Sequence, residues 1–209
     1  MGRLQGGALV VVLLALVLTG CAAHNQPARH TTSTAQQAGA PRTHTGTVTR
    51  TFQAYDSAGN LAVKVSDVAT GNCWTTSVAA PVPGAYRCFA GNQILDPCFA
   101  PPKTAAPTQI ACVANPWSDA VVLTLTSSLP KGAPADGKRP WAIELSNGAR
   151  CVSSTGTVPA IDGVNLDYHC TNGADAALAD TAAATETAQY ALPPATALQS
   201  VTVTTIWRG

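Results

Sequence analysis

"CVSSTGTVPAIDGVNLDYHC", residues 151–170, opens and closes on cysteine and holds two alternating runs separated by proline and glycine. Alternation of apolar and polar side chains has a period of two, which suits a strand with one buried face. A Pro- or Gly-bearing break between two such runs is a turn signal. The same grammar occurs upstream in "CWTTSVAAPVPGAYRC" at 73–88 and "CFAPPKTAAPTQIAC" at 98–112. Three strand–turn–strand units, each closed by cysteine at both ends, predict an all-β domain: a sandwich or barrel of short antiparallel strands.

The surrounding chain follows the same pattern. "VTRTFQAY", "LAVKV", "VLTLT", "WAIEL" and "VTVTTIW" alternate or nearly so and are rich in β-branched residues. Turn signals separate them: "DSAGN" at 56–60, "GN" at 91–92, "NG" at 147–148 and "DG" at 162–163. The exception is "DAALADTAAATETAQYAL" at 175–192, alanine-rich and free of turn residues, which predicts one short helix before Pro193-Pro194. Asn147-Gly148 leaves a choice of register. As a two-residue turn it places Glu144 opposite Cys151, so that Cys151 faces away from Trp141, Ile143 and Leu145. A bulge at Gly148 restores Cys151 to their side.

The amino terminus belongs to a different class. Ala8 to Leu18 is eleven consecutive apolar residues, with Arg3 as the one charged side chain before them. As a helix it would measure roughly 16 Å, about half a bilayer's hydrocarbon core. A positive start, a short apolar middle and small residues at the exit describe a secretory signal over residues 1–20. The tract from Cys21 to Gly46 that follows has no large aliphatic or aromatic residue, so it has little to offset the entropy of ordering. It reads as a flexible tether with ends roughly 25–30 Å apart. The remainder, 47–209, has the length of one β domain.

Leu18-Thr19-Gly20-Cys21 resembles the lipobox of bacterial lipoproteins. The resemblance implies a diacylglyceryl group on the Cys21 thiol, cleavage just before that residue, and anchorage on the outer face of the cell membrane. Stable anchoring takes more than one acyl chain, each buried methylene contributing about 0.8 kcal/mol. The alternative is an ordinary secretory signal that leaves Cys21 free. With lipid on Cys21, six of the seven cysteines remain, an even set in an exported chain. No C-x-x-C pair exists and no histidine sits at ligand spacing from two cysteines, so disulfides are expected and no metal. Six cysteines allow fifteen pairings. Because sequential strands usually pair, the expected set is Cys73–Cys88, Cys98–Cys112 and Cys151–Cys170.

The order "CW", "AYRC", "DPCF", "NPW", "PWAIELSNGARC" and "DYHC", with Trp207 near the end, resembles a group of exported actinobacterial proteins of uncharacterised function. It implies a disulfide-stapled extracellular domain and no particular activity.

Candidate chemistry is sparse. Asp167 and His169 are two apart on an expected strand and would share a face, where a carboxylate can orient an imidazole as a general base. A solvated outer strand face looks the same and is the more ordinary reading. G-x-S-x-G, S-x-x-K, H-E-x-x-H and a phosphate-cradling glycine loop are all missing. His24, His30 and His44 lie in the tether. Asp56, Asn60, Asn172, Asp175 and Asp180 offer oxygens but lack the dense spacing of a calcium loop, so they read as turn residues. Trp74, Trp117, Trp141 and Trp207 are either core or a stacking platform for sugars, with Trp117 in "NPWSD" the ring expected to be most exposed. Net charge is +1 and 11% of residues are charged, so nucleic acid is not an expected partner. The composite expectation is a lipid-anchored envelope module without cofactor that binds a cell-wall glycan or an envelope protein. The alternatives are a hydrolase built on Asp167 and His169 and a structural subunit of a membrane complex.

Overall fold

Strand after strand pairs with its sequence neighbour, as the turn signals require. The computed structural model describes residues 46–132, 139–179 and 186–209. The lipobox with Cys21, the signal and the tether up to residue 45 lie outside the described residues. The described residues belong to one compact unit.

Five strands form a closed barrel: β2 (Val65–Thr76), β3 (Ala85–Ala90), β4 (Gln93–Phe99), β5 (Gln109–Cys112) and β6 (Ala120–Leu125). Consecutive members are antiparallel. An odd number of alternating strands makes the first and last run the same way, so β2 and β6 close the barrel as a parallel pair. Gly71 lies where β2 comes against β3, and a β-carbon there would overlap the Phe89 carbonyl.

A second sheet takes β1 (Val48–Thr51), β7 (Ala142–Leu145), β8 (Arg150–Ser153), β11 (Tyr168–Cys170), β12 (Asp175–Leu178), β13 (Thr187–Ala191) and β14 (Gln199–Arg208). The long β14 pairs with β13 at one end and β7 at the other, which joins six of these strands into a ring. The remaining strand, β1, lies parallel to β14. A short hairpin of β9 (Ala160–Ile161) and β10 (Val164–Asn165) rises between β8 and β11.

The helix expected over 175–192 is not formed at either end of that stretch, where β12 and β13 pair instead; 180–185 lie outside the described residues. Ala176, Ala188 and Tyr190 turn into the core from these strands, where alanine's small side chain packs closely against its neighbours. Cross-strand packing outweighs the few tenths of a kcal/mol per residue that separate alanine's helical preference from that of average residues.

Each expected cysteine pair is a disulfide between directly opposed residues on neighbouring strands: Cys73–Cys88, Cys98–Cys112 and Cys151–Cys170. All six cysteines are buried and take the place of larger side chains in a core poor in aromatics. The hairpin ambiguity resolves toward the bulge. Leu145 and Ala149 pair around a three-residue loop, with Gly148 at φ 84°. Cys151 therefore opposes Ile143, not Glu144, and faces the core.

Candidate functional site

Asp167 and His169 do lie on one side of the chain, since Leu166, Tyr168 and Cys170 between and beside them are buried. They do not act on each other. Asp167 sits between β10 and β11, with its Oδ2 3.0 Å from the Arg139 guanidinium, which also donates to the Asp167 carbonyl at 2.7 Å. The Nδ1 of His169 lies 3.0 Å from Asp175 Oδ1, its cross-strand neighbour on β12. Ser153, which opposes Tyr168, is a buried hydroxyl on the inner face, whereas His169 faces outward. No nucleophile is brought to the imidazole among these neighbours.

Burial pushes the Asp167 carboxyl above its usual range, against the opposing pull of Arg139. A raised folded-state pKa means that the native state takes up its proton before the unfolded chain does. The resulting stabilisation is complete below the unfolded value of 3.8 and is lost as pH rises through the folded value. Wild type is therefore expected to gain stability relative to Asp167→Asn as pH falls toward 4, read as the difference in urea midpoints. A difference that shrinks or stays flat over that interval would reject this assignment.

The tryptophans sort differently from expectation. Trp141 is fully buried, in edge contact with Phe52 at 5.0 Å and Phe99 at 5.6 Å. Trp117 is half-buried and is not the most exposed ring. Asn115 Oδ1 accepts from its backbone N–H and so folds "NPWSD" back on itself. Its indole then donates to Glu144 Oε1 at 3.2 Å, the same oxygen that accepts from Trp207 at 2.8 Å. Arg150 lies over Trp117 and Arg50 over Trp207, at 5.3 and 5.5 Å from the ring centroids. One carboxylate thus holds two indoles, each faced by a guanidinium. Glu144→Ala strands both indole donors and is expected to cost about 2 kcal/mol. Urea titration followed by tryptophan fluorescence measures this; a change within 0.5 kcal/mol, the usual reach of an inconsequential surface substitution, would show that the cluster is ornamental.

Trp74 is the exposed ring, with 45% of its surface accessible. It pairs with exposed Phe89 at 5.6 Å, and Phe89 stands directly opposite exposed Ile94 on β4. Trp74 follows buried Cys73 on β2 and so projects from the opposite face, beside a register shift between Cys73 and Thr75. Beneath Trp74 runs Arg87, its guanidinium 5.7 Å from the ring and 3.6 Å from Asp96. Asp96 is almost fully buried and accepts from Ser77 Oγ and from the backbone N–H groups of Val78 and Ala79, at 3.2 and 3.4 Å. Burial raises the pKa of its carboxyl despite these donors and Arg87. The outer wall of the barrel is thus an aromatic and aliphatic patch laid over a held ion pair.

The oxygen-bearing turns are internally satisfied. Asp56 accepts from the backbone of Ala58 and Asn60 and from the Asn60 amide, at 2.8–3.0 Å. Asn172 donates to Tyr190 and accepts from the Ala174 backbone. Asp175 is engaged by His169, and Asp180 lies outside the described residues. A groove of about 590 Å³ passes over Tyr86, Pro107 and Leu129, and among the described residues Tyr86 and Lys131 are the titratable groups that line it. No protein-family model, curated protein or solved structure matches this chain.

Proposed function

We propose that this chain is a lipid-anchored, extracytoplasmic module of the cell envelope that binds a cell-wall glycan or an envelope protein and performs no catalysis. The observation that carries the reading is the cysteine account: six of seven are consumed in three disulfides, and the one left over is Cys21 of the lipobox-like stretch. Disulfides persist in oxidising compartments, and a single unpaired cysteine behind an apolar signal is where a lipid would be attached. Trp74, Phe89 and Ile94 offer a binding face, because an open indole stacks well against the apolar face of a sugar or a partner's side chain.

Fractionation of cells expressing wild type and Cys21→Ser tests the anchor. Wild type is expected in the detergent-extracted membrane fraction, with acyl mass on residue 21, and Cys21→Ser without it. Wild type recovered as a soluble chain beginning at Met1 would sink the proposal. Binding to purified cell-wall material then separates the rings: Trp74→Ala is expected to weaken retention by at least about tenfold, the loss of roughly 1.4 kcal/mol.

A hydrolase remains the second reading on one observation, the carboxylate-held imidazole of His169. In it Asp175 replaces Asp167 as the orienting acid. His169→Ala with an unchanged envelope phenotype, beside a strong Trp74→Ala effect, would eliminate it.

A further inference from the structure

The two disulfides of the barrel lie against each other. The Sγ atoms of Cys88, Cys98 and Cys112 all fall within 4.8 Å of one another, and Cys73 is bonded to the first of them. Their burial is graded: Cys73 is 6% exposed, Cys112 3%, and Cys88 and Cys98 are fully enclosed. Among the described residues the bridge between Cys151 and Cys170 belongs to no comparable cluster.

We propose that Cys73, Cys88, Cys98 and Cys112 form a thiol-exchange relay, entered at Cys73 by an external dithiol. The external thiolate attacks Cys73 Sγ, which belongs to the least enclosed residue of the four. A mixed disulfide forms there, the Cys73–Cys88 bond breaks, and the electron pair leaves on Cys88. The Cys88 thiolate then attacks Cys98 or Cys112. A new bond joins Cys88 to the sulfur attacked, the Cys98–Cys112 bond breaks, and the displaced sulfur takes the electron pair and then a proton. This exchange involves no net oxidation. The second thiol of the external reagent releases Cys73 and leaves as a cyclic disulfide, so the reagent loses two electrons and the protein ends with one bond fewer. The strand freed of its covalent tie is β2, which carries Trp74. Strand β3 becomes linked to β4 or β5 instead.

The test uses Cys73→Ser in the full chain, oxidised in air, alkylated at low pH and mapped by peptide mass spectrometry. Three sulfurs and one bond allow three pairings, so exchange among forms of equal energy places roughly two-thirds of molecules in Cys88–Cys98 or Cys88–Cys112. A sample with Cys98–Cys112 intact throughout and Cys88 as its one free body cysteine would overturn the relay. Cys151→Ser is the control and should leave Cys170 free without re-pairing. Should Cys73→Ser fail to fold, wild type treated with substoichiometric dithiothreitol and then alkylated separates the same two outcomes. Label on Cys73 together with just one of Cys98 and Cys112, the other joined to Cys88, supports exchange, and label confined to the two partners of one original bond, Cys73 with Cys88 or Cys98 with Cys112, refutes it.

Discussion

Full reduction of the three body disulfides is expected to unfold the domain at 37 °C. The bridges close chain segments with separations of 15, 14 and 19 residues. By the loop-entropy argument each contributes about 3 kcal/mol, so the three together reach roughly 9 kcal/mol. A domain of this kind has about 5–15 kcal/mol of net stability in all. The sulfurs also fill space. Cys151 and Cys170 pack with Ile143, Val203 and Ile206, and the other four with Ile110 and Leu123. Replacing Cys151 and Cys170 together by alanine therefore removes a staple and opens a cavity, and should lower Tm by about 6–12 °C. Near-UV circular dichroism and thermal scans with and without reductant make the comparison. A fully reduced chain that keeps its native near-UV spectrum and melts cooperatively at the oxidised temperature would show that the strands, not the staples, hold the fold.

Asp96→Ala is expected to be the most damaging single polar substitution. The carboxylate is almost fully enclosed and is the acceptor for Ser77, Val78 and Ala79, with Arg87 beside it. Its removal leaves a largely buried guanidinium without its carboxylate and three donors without an acceptor. Breaking such a pair from one side costs about 3–5 kcal/mol, a Tm loss on the order of 10 °C. Asp96→Asn keeps one acceptor oxygen and should be markedly milder. The sign of the pH effect distinguishes the charge from the hydrogen bonds. Burial raises Asp96, so stability from its protonation is complete below 3.8 and lost as pH rises through the folded value. Wild type should gain on Asp96→Asn as the solution is acidified, measured by chemical denaturation of both proteins in parallel. An Asp96→Ala protein as stable as wild type at pH 7 would remove Asp96 from the framework. Because Arg87 underlies Trp74, the same variant should also loosen the exposed ring.

The contrast between two similar dipeptides shows how much was legible in the chain itself. Asp162-Gly163 is a two-residue hairpin with both residues at positive φ, as its composition suggests. Asn147-Gly148 uses positive φ only at Gly148 and makes a three-residue loop, which shifts the whole register by one. Both outcomes suit a pair ending in glycine; the difference lies in where the flanking side chains must point. Ile143, Leu145 and Cys151 all reach the core in the observed register, and a two-residue loop would have turned Cys151 out. Tryptophan exposure was equally beyond local inspection. Trp117 is drawn in by Glu144, 27 positions away, whereas Trp74, next to buried Cys73, keeps to the outer face.

Period-two alternation, turn residues at the breaks and cysteines at both ends of three hairpins were sufficient to specify an all-β body and its three bridges, because strand preference, turn geometry and neighbour pairing are local. Tertiary packing alone made five strands close on themselves through β2 and β6, paired 175–178 with 187–191 as strands, and sent Asp167 to Arg139 and His169 to Asp175. It also brought four sulfurs of two separate hairpins together. Each of these depends on packing between segments far apart in the chain, where burial and partner geometry outweigh the small energies of local preference.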